Sequence, residues 1–339
     1  MKYLIIILLL ILTVCSGITL HFFIKLQKKK SIGQSIRGEG PKNHLIKSGT
    51  PTMGGLLIIF NIIAIYLVFK IILKPYISFD LLNAFMIFFP FVMFGLIGFI
   101  DDYLIMKKKT NEGIKPLYKF LFELFTSAIF YLVYLIIFND NRLNFFGIYV
   151  DLGFMYGVLL LFMLSGFTNA TNFTDGLDGL FGLNGIISFL FISIYSYYLS
   201  NYHVLLVCLI TIFVLISFLV FNLPKASLFM GDTGSLSIGA LMISLLIILK
   251  AEVLIVFFGF IYLLEILSVI LQVWYFKKTK GKRIFKMSPI HHHFELCGLT
   301  EIQINLLFCF INLIMSSIGL FIGVKVLWWI KNTCYLVWV

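Results

Sequence analysis

Acidic and amide side chains with a regular spacing mark one segment of this sequence as a candidate chemical site. Asn172, Asp175 and Asp178 recur every third residue, which on a helix places them within about 120° of one face. Oxygen ligands without Cys or His suit a hard cation such as Mg²⁺, which takes one or two carboxylates and leaves room for water and phosphate oxygens. The alternative interpretation is that Thr174 or Asp175 caps the following helix, which explains one aspartate but not the set.

A pair of adjacent carboxylates, Asp101 and Asp102, ends another apolar run in the string GFIDDY. Two neighbouring negative charges repel each other, and at a helix C-terminus they face the negative end of the helix dipole. A bound cation or a proton would relieve them, which indicates a functional pair. Simple solvation of both charges at the end of the helix is the alternative.

A third acidic position lies in the string FNLPKASLFMGDTGS, which contains Asn222 and Asp232. Gly231 and Gly234 flank this aspartate and allow a close backbone approach. Asp232 or the threonine after it is equally suited to cap the next helix, so this loop alone does not decide between the two roles.

Three consecutive histidines occur in the string MSPIHHHFE. Ser288 and Pro289 are typical of the N-cap and first position of a short helix, with His291, His292 and His293 in its first turn. Neighbouring side chains on a helix point about 100° apart, so the three rings are not expected to share one zinc ion. Imidazoles at a helix N-terminus predict an anion site, and a solvated loop is the alternative.

The elements that position these residues are expected to be helices in lipid. The chain of 339 residues is 61% hydrophobic and 12% charged, which is about half the charged fraction of a soluble domain. A formal net charge of +11 does not predict a nucleic-acid partner here, because cytoplasmic loops of membrane proteins collect Lys and Arg. The five cysteines form no CxxC pair, so neither disulfides nor a zinc site is expected.

Ten apolar runs are long enough to span a bilayer, which takes about 20 residues. They are residues 3–24, 52–73, 81–100, 117–138, 153–170, 179–199, 204–221, 235–249, 253–275 and 304–327. The run 235–249 is the shortest and is the one that could merge with its successor. The first run is too long for a signal peptide and lacks an A-x-A site, so it is predicted to be retained.

Most of the 26 basic residues lie in the loops after odd-numbered runs, and the positive-inside rule therefore predicts that both termini are outside. The fold is predicted to be an all-α polytopic membrane protein with a single domain, residues 1–339, because no loop is long enough for a soluble domain. The acidic clusters, the histidines and Lys47, which precedes the string SGTPTMGG, all fall on the cytoplasmic face. For Lys47 the alternative is one more positive-inside lysine. The combination predicts phosphoryl transfer between a cytosolic nucleotide and a membrane lipid.

The strings GTPTMGG, DDY, TNFTDGLDGL, FNLPKASLFMGDTGS and PIHHHFE resemble the polyprenyl-phosphate N-acetylhexosamine-1-phosphate transferase superfamily and, within it, the phospho-N-acetylmuramoyl-pentapeptide-transferase family. PIHHHFE is the most specific of them, and the resemblance covers essentially the whole chain. It implies a bacterial cell-membrane enzyme with ten spans that converts UDP-MurNAc-pentapeptide and undecaprenyl phosphate into lipid I and UMP.

The resemblance also implies roles for single residues. The catalytic set is Asp101, Asp102, Asp232 and His291. The substrate-binding set is Lys47, Lys119, Asn172, Asp175, Asp178, Asn222, His292 and His293. Magnesium is the implied cofactor, with Asp232 and Asp102 as its ligands, and membrane lipid is an implied partner. A homodimer is raised by the resemblance alone.

Four positions depart from the family pattern. Ile105 stands where the family usually has Lys, and Lys107 is the candidate substitute. Glu123 replaces a usual Gln, and Cys297 and Leu299 replace a usual Lys and Trp. These differences affect the expected contacts at the rim of the site more than its core chemistry.

In the implied reaction, an oxygen of the lipid phosphate attacks the β-phosphorus of the UDP-sugar, and UMP leaves. Such a phosphate monoester, with a second pKa near 6, is largely ionised at neutral pH, so a strong base is not obligatory. Asp102 as a base and Asp101 as its ordering partner are hypotheses, and a one-step displacement and a covalent aspartyl intermediate stay equally open.

Three alternative functions remain at this point. A related enzyme that uses UDP-GlcNAc is disfavoured by the triple His followed by Phe-Glu. An ion-coupled transporter should carry its acids in the middle of the membrane, where only Glu265 and Glu123 are expected. A structural scaffold would not need the acidic clusters.

Overall fold

The computed structural model describes residues 2–29, 49–75, 80–108 and 113–336, with side chains between residues 5 and 326. Lys47, a predicted substrate-binding residue, lies outside the described residues. The helices are α1 (Lys2–Lys29), α2 (Gly54–Leu73), α3 (Leu81–Lys108), α4 (Pro116–Phe138), α5 (Phe154–Thr174), α6 (Leu180–Tyr198), α7 (Tyr202–Asn222), α8 (Gly231–Ile248), α9 (Ile255–Phe258), α10 (Phe260–Lys278), α11 (Ile290–Leu296) and α12 (Glu301–Leu336).

Ten of these helices, all except the short α9 and α11, are long and apolar enough to cross a membrane, which confirms the predicted architecture. The predicted runs 235–249 and 253–275 do not merge. A 3₁₀ turn, Glu252–Leu254, follows α8, and a break at Gly259 separates α9 from α10. A Cβ atom at Gly259 would lie 2.5 Å from the Phe167 ring, so the glycine allows α5 to pack against the break.

A β-hairpin lies between α4 and α5 and was not predicted. Strands β1 (Arg142–Phe145) and β2 (Ile148–Asp151) pair antiparallel, with Phe145 opposite Ile148. The two residues between them, Phe146 and Gly147, both have positive φ (50° and 89°), as a tight hairpin turn requires. Short runs of mixed polar and apolar residues carry little periodic signal beside twenty-residue helices, and the glycine was the only clear cue.

The centre of the bundle is α8, in which every residue from Thr233 to Ile247 is buried. Helices α2, α3 and α5 pack around it. Small residues make this possible, because a Cβ atom at Gly98 or Gly55 would overlap the backbone of α8. A helix that contacts protein on all sides needs less apolar surface than one that faces lipid. The central position of α8 therefore explains why its apolar run was the shortest of the ten predicted runs.

Helices that alternate in direction bring the candidate residues to one end of the bundle. α1, α3 and α10 each finish with two lysines, and we call this end of the molecule the lysine-rich end. The C-termini of α3, α5 and α7 and the N-termini of α4, α6, α8 and α12 meet there. Its assignment to the cytoplasm, and the outside position of both termini, stay predictions from the distribution of basic residues.

Candidate active site

Asp102 caps α8 from the neighbouring helix α3. Its Oδ1 accepts a hydrogen bond from the backbone N–H of Asp232 (3.1 Å). Its Oδ2 accepts two more, from the backbone N–H of Thr233 (3.0 Å) and from the Thr233 hydroxyl (2.6 Å). A carboxylate at a helix N-terminus is favoured by the free N–H groups and by the helix dipole. These bonds fix Asp232, in the first turn of α8, relative to α3.

Lys119, near the start of α4, joins the two other carboxylates of this cluster. Its ammonium group lies 3.2 Å from Oδ2 of Asp101 and forms a short contact with Oδ2 of Asp232. The backbone N–H of Ile114 donates to Oδ1 of Asp101 (2.5 Å), which orders the entry into α4. The structure therefore brings together Asp101, Asp102 and Lys119, from the consecutive helices α3 and α4, with Asp232 of α8, more than 100 residues further along the chain.

Asp175 follows the end of α5 and is close enough to this cluster to interact with its charges. Burial raises the pKa of Asp175 well above its usual range, and the negative charges of Asp232 and Asp102 act in the same direction. Asn172, one turn earlier, donates a hydrogen bond to the Ser235 hydroxyl (3.1 Å) and so ties α5 to α8. Of the three residues predicted from their spacing, Asn172 and Asp175 thus face the first turn of α8.

Asp178 and Asn222 are buried and organise the backbone of the site. Oδ2 of Asp178 accepts from the N–H of Ala226 (2.9 Å). Oδ1 of Asn222 accepts from the N–H of Gly179 (3.0 Å), and its Nδ2 donates to the carbonyl of Leu228 (2.9 Å). Both side chains hold the turn before α6 against the loop before α8. Their predicted contact with substrate remains a prediction.

The glycine-rich string GTPTMGG pairs with the loop before α8. The N–H groups of Gly54 and Gly55 donate to the carbonyls of Phe229 and Met230 (2.9 Å each), and the N–H of Phe229 donates to Pro51 (2.8 Å). This pairing needs a close approach, since a Cβ atom at Gly54 would lie 2.9 Å from the Phe229 carbonyl oxygen. The glycines therefore serve the placement of α8.

The three histidines of α11 have three different surroundings. Nδ1 of His291, a residue only 1% exposed, lies 3.1 Å from Oε1 of Glu265 in α10. Nδ1 of His292 lies 2.7 Å from Oε2 of Glu295, and Nδ1 of His293 accepts from the N–H of Lys286 (3.1 Å). The rings of His291 and His292 are nevertheless in contact, with centroids 4.1 Å apart, contrary to the expectation that the three side chains point apart. The helix starts at Ile290 with Pro289 as its N-cap, one residue later than expected.

Three polar residues near the site were not predicted as part of it: Thr233, Glu265 and Glu123. Glu123 is fully buried, and its Oε2 lies 2.5 Å from Nδ2 of Asn169, which ties α4 to α5. The two glutamates carried a usable signal, because ionisable residues inside spanning helices are commonly functional or paired. No sequence signal marked Thr233, because its role depends on Asp102 in another helix.

Two family models match parts of this chain. Residues 84–250 match the family model described as glycosyl transferase family 4, and residues 47–59, which include GTPTMGG, match the phospho-N-acetylmuramoyl-pentapeptide-transferase signature 1.

Proteins named phospho-N-acetylmuramoyl-pentapeptide-transferase are similar along most of the chain. Those of Staphylococcus carnosus (strain TM300), Staphylococcus aureus (strain bovine RF122 / ET3-1) and Enterococcus hirae are 42%, 41% and 43% identical over 306, 302 and 298 residues. In each case the match covers 88% of this chain and 92% of the relative. Ten helices in the described part of the chain are long and apolar enough to cross a membrane, and the relatives are bacterial, so this is a multi-pass protein of the cell membrane. The chain belongs to the phospho-N-acetylmuramoyl-pentapeptide-transferase family.

Proposed function

We propose that this protein transfers phospho-MurNAc-pentapeptide from UDP-MurNAc-pentapeptide to undecaprenyl phosphate, giving lipid I and UMP. The observation that carries the proposal is the bridge of Lys119 between Asp101 and Asp232 at the first turn of α8. Phosphoryl transfer depends mainly on positioning and on neutralisation of phosphate charge, and this cluster places a cation and several carboxylates at one end of a membrane-embedded bundle.

The charge balance of the cluster fits a divalent cation. Among the described residues, Lys119 is the one cation in contact with Asp101 and Asp232, while Asp102 and Asp175 add further negative charge nearby. Carboxylate oxygens are the donors present, and they suit Mg²⁺, which takes few carboxylates and fills its shell with water and phosphate oxygens.

We assign Asp232 as the main protein ligand of this Mg²⁺. Its side chain is 25% exposed, whereas the oxygens of Asp102 already accept three hydrogen bonds and retain a single lone pair on Oδ1. Asp102 then contributes chiefly by holding α8 in place. When bound, the ion would neutralise charge on the two phosphates of the nucleotide.

The remaining residues act directly on the substrates in this proposal. Lys119 supplies a positive charge beside Asp232 for the phosphate oxygens. Asn172 and Asp175 border the nucleotide pocket. The lipid phosphate is already ionised at neutral pH, so no residue has to remove a proton from it before attack.

The test is UMP release by the detergent-purified protein, supplied with undecaprenyl phosphate, Mg²⁺ and either UDP-MurNAc-pentapeptide or UDP-GlcNAc. We expect release with the muramoyl substrate alone, and its loss with EDTA or in Asp232→Ala. Asp80→Asn is the matched control, because this exposed aspartate lies next to the opposite end of α3 and should leave release unchanged. Release with UDP-GlcNAc instead would refute the substrate assignment.

A further inference from the structure

Glu265 is a buried acid that no step of the proposed reaction uses. It lies in α10 and its side chain is fully buried. No described residue donates a hydrogen bond of acceptable length and angle to either carboxylate oxygen of Glu265. Among the described residues, the ionisable group in contact with it is the imidazole of His291, whose Nδ1 lies 3.1 Å from Oε1. An isolated carboxylate is strongly disfavoured inside a protein, so the imidazole is the natural partner for its charge.

The chain is folded so that this contact forms. Gln272, two turns further along α10, accepts hydrogen bonds from the N–H groups of Ile284 and Phe285 (3.0 Å each). Its Nε2 donates to the carbonyl of Phe285 (3.1 Å). The loop after α10 is thereby turned back along the same helix. This return brings α11, and with it His291, onto the face of α10 that carries Glu265.

The opposite edge of the His291 ring packs against the turn between α5 and α6. A Cβ atom at Gly176 would lie 2.5 Å from Nε2 of His291, so only a glycine leaves room for the ring. Gly176 separates Asp175 from the segment that carries Asp178. The imidazole therefore stands between an acid of α10 and the turn that holds two predicted substrate-binding residues.

The two ring nitrogens have distinct roles in this arrangement. Nδ1 lies 3.1 Å from Oε1 of Glu265, close enough for electrostatic attraction although the angle is not that of a hydrogen bond, and an ionised carboxylate there favours the proton on Nδ1. This contact holds one edge of the ring towards α10, and Nε2 then faces the Asp175–Asp178 turn. Without the charge of Glu265 the His291 ring loses its preferred orientation, and the Asp175–Asp178 turn loses a fixed neighbour.

We propose that Glu265 is a positioning residue that acts through His291 to hold the Asp175–Asp178 turn in the conformation that binds the nucleotide sugar. This inference rests on the proposed transferase function. Glu265 does not touch substrate in this proposal. It supports the residues that do, as outer hydrogen-bond partners support the ligands of a metal site.

The test compares Glu265→Gln with Glu252→Gln. Glu252 is a second buried glutamate, at the other end of the bundle, where its Oε1 accepts a hydrogen bond from the Tyr156 hydroxyl (2.5 Å). Both variants take a carboxylate oxygen away from a buried polar partner, the His291 ring in one case and the Tyr156 hydroxyl in the other, so both are expected to lower thermal stability. Only Glu265→Gln should raise the KM for the UDP-sugar and weaken UMP binding measured by calorimetry, by about tenfold, with kcat changed less.

Two further variants test the same contact, and the first of them keeps the inference testable even if Glu265→Gln does not fold. Gly176→Ala disturbs the same ring from its other edge and should raise KM in the same way. The double variant Glu265→Gln/His291→Asn should bind UMP no worse than His291→Asn alone, because both changes remove one interaction. The inference is overturned if the losses of UMP binding caused by Glu265→Gln and His291→Asn add up in the double variant. It is also overturned if Gly176→Ala or Glu265→Gln keeps the wild-type KM. Absence of UMP release by the wild-type protein would instead refute the proposed function.

Discussion

Replacement of Asp102 by Asn tests whether this carboxylate caps α8 or serves as a catalytic base. The side chain accepts three hydrogen bonds from α8, two of them from the backbone N–H groups of Asp232 and Thr233. Asparagine offers one oxygen in place of two and carries no charge. At least one N–H group of α8 would therefore face the amide NH₂ group instead of an acceptor.

The expected cost follows from these bonds. One buried N–H without an acceptor costs about 1–3 kcal/mol, and two charge-assisted bonds that become neutral lose about 1 kcal/mol each. The free energy of unfolding of Asp102→Asn should thus fall by roughly 3–5 kcal/mol. α8 is the central helix, so the loss should appear in the unfolding of the whole bundle in mixed detergent micelles.

Thr233→Val provides the matched comparison, because it removes only the hydroxyl that donates to Asp102 (2.6 Å). It should cost about 1–2 kcal/mol, and the double variant Asp102→Asn/Thr233→Val should cost clearly less than the sum of the two single variants. If Asp102→Asn unfolded like the wild type while UMP release fell and lost its dependence on pH, the capping role would be refuted and the base role supported.

Three further predictions concern the same end of the molecule. Lys119→Met leaves two carboxylates without their cation, so the free energy of unfolding of the metal-free protein should fall by about 3–5 kcal/mol. Mg²⁺ should restore part of this loss. An unchanged free energy of unfolding in the absence of metal would contradict the Lys119 bridge. Burial and neighbouring carboxylates raise the pKa of Asp175 in the folded state, so its charge opposes folding once the pH rises above the unfolded value of about 4. The melting temperature of the metal-free wild type should therefore fall more steeply than that of Asp175→Asn as the pH rises from about 4. Equal slopes in the two proteins would show that the charge of Asp175 does not oppose folding. Gly55→Ala would drive a methyl group into the backbone of α8 and should cost about 1–3 kcal/mol of unfolding free energy, whereas Gly166→Ala, which meets nothing within 4 Å, should be tolerated.

Much of the architecture was predictable from the residues alone. Lipid imposes a length of about 20 apolar residues on each spanning helix, so composition and run length identify the spans without knowledge of their neighbours. Spans that alternate in direction then place every second loop on one side. That rule brought the segments of Asp101, Asp175, Asp232 and His291 to one end before any contact was known, and the short strings around them identified the family.

The partner of each residue was decided only by the tertiary structure. Asp102 and Thr233 are 131 residues apart in sequence, and no local pattern indicates that one caps the helix of the other. The same holds for Lys119 with Asp232 and for Glu265 with His291. Periodicity reports which face of a helix is buried, whereas the contact across an interface depends on how the helices are packed.

The shape of the core also required the structure. α8 is surrounded by protein rather than lipid, and its glycines and serines permit that packing without a long apolar run. A sequence reports the average polarity of a segment but not which solvent it meets. The sequence by itself therefore determined the spans, their order and the chemistry available at one end, and the packing of α3, α4 and α10 around their neighbours decided which of those groups meet.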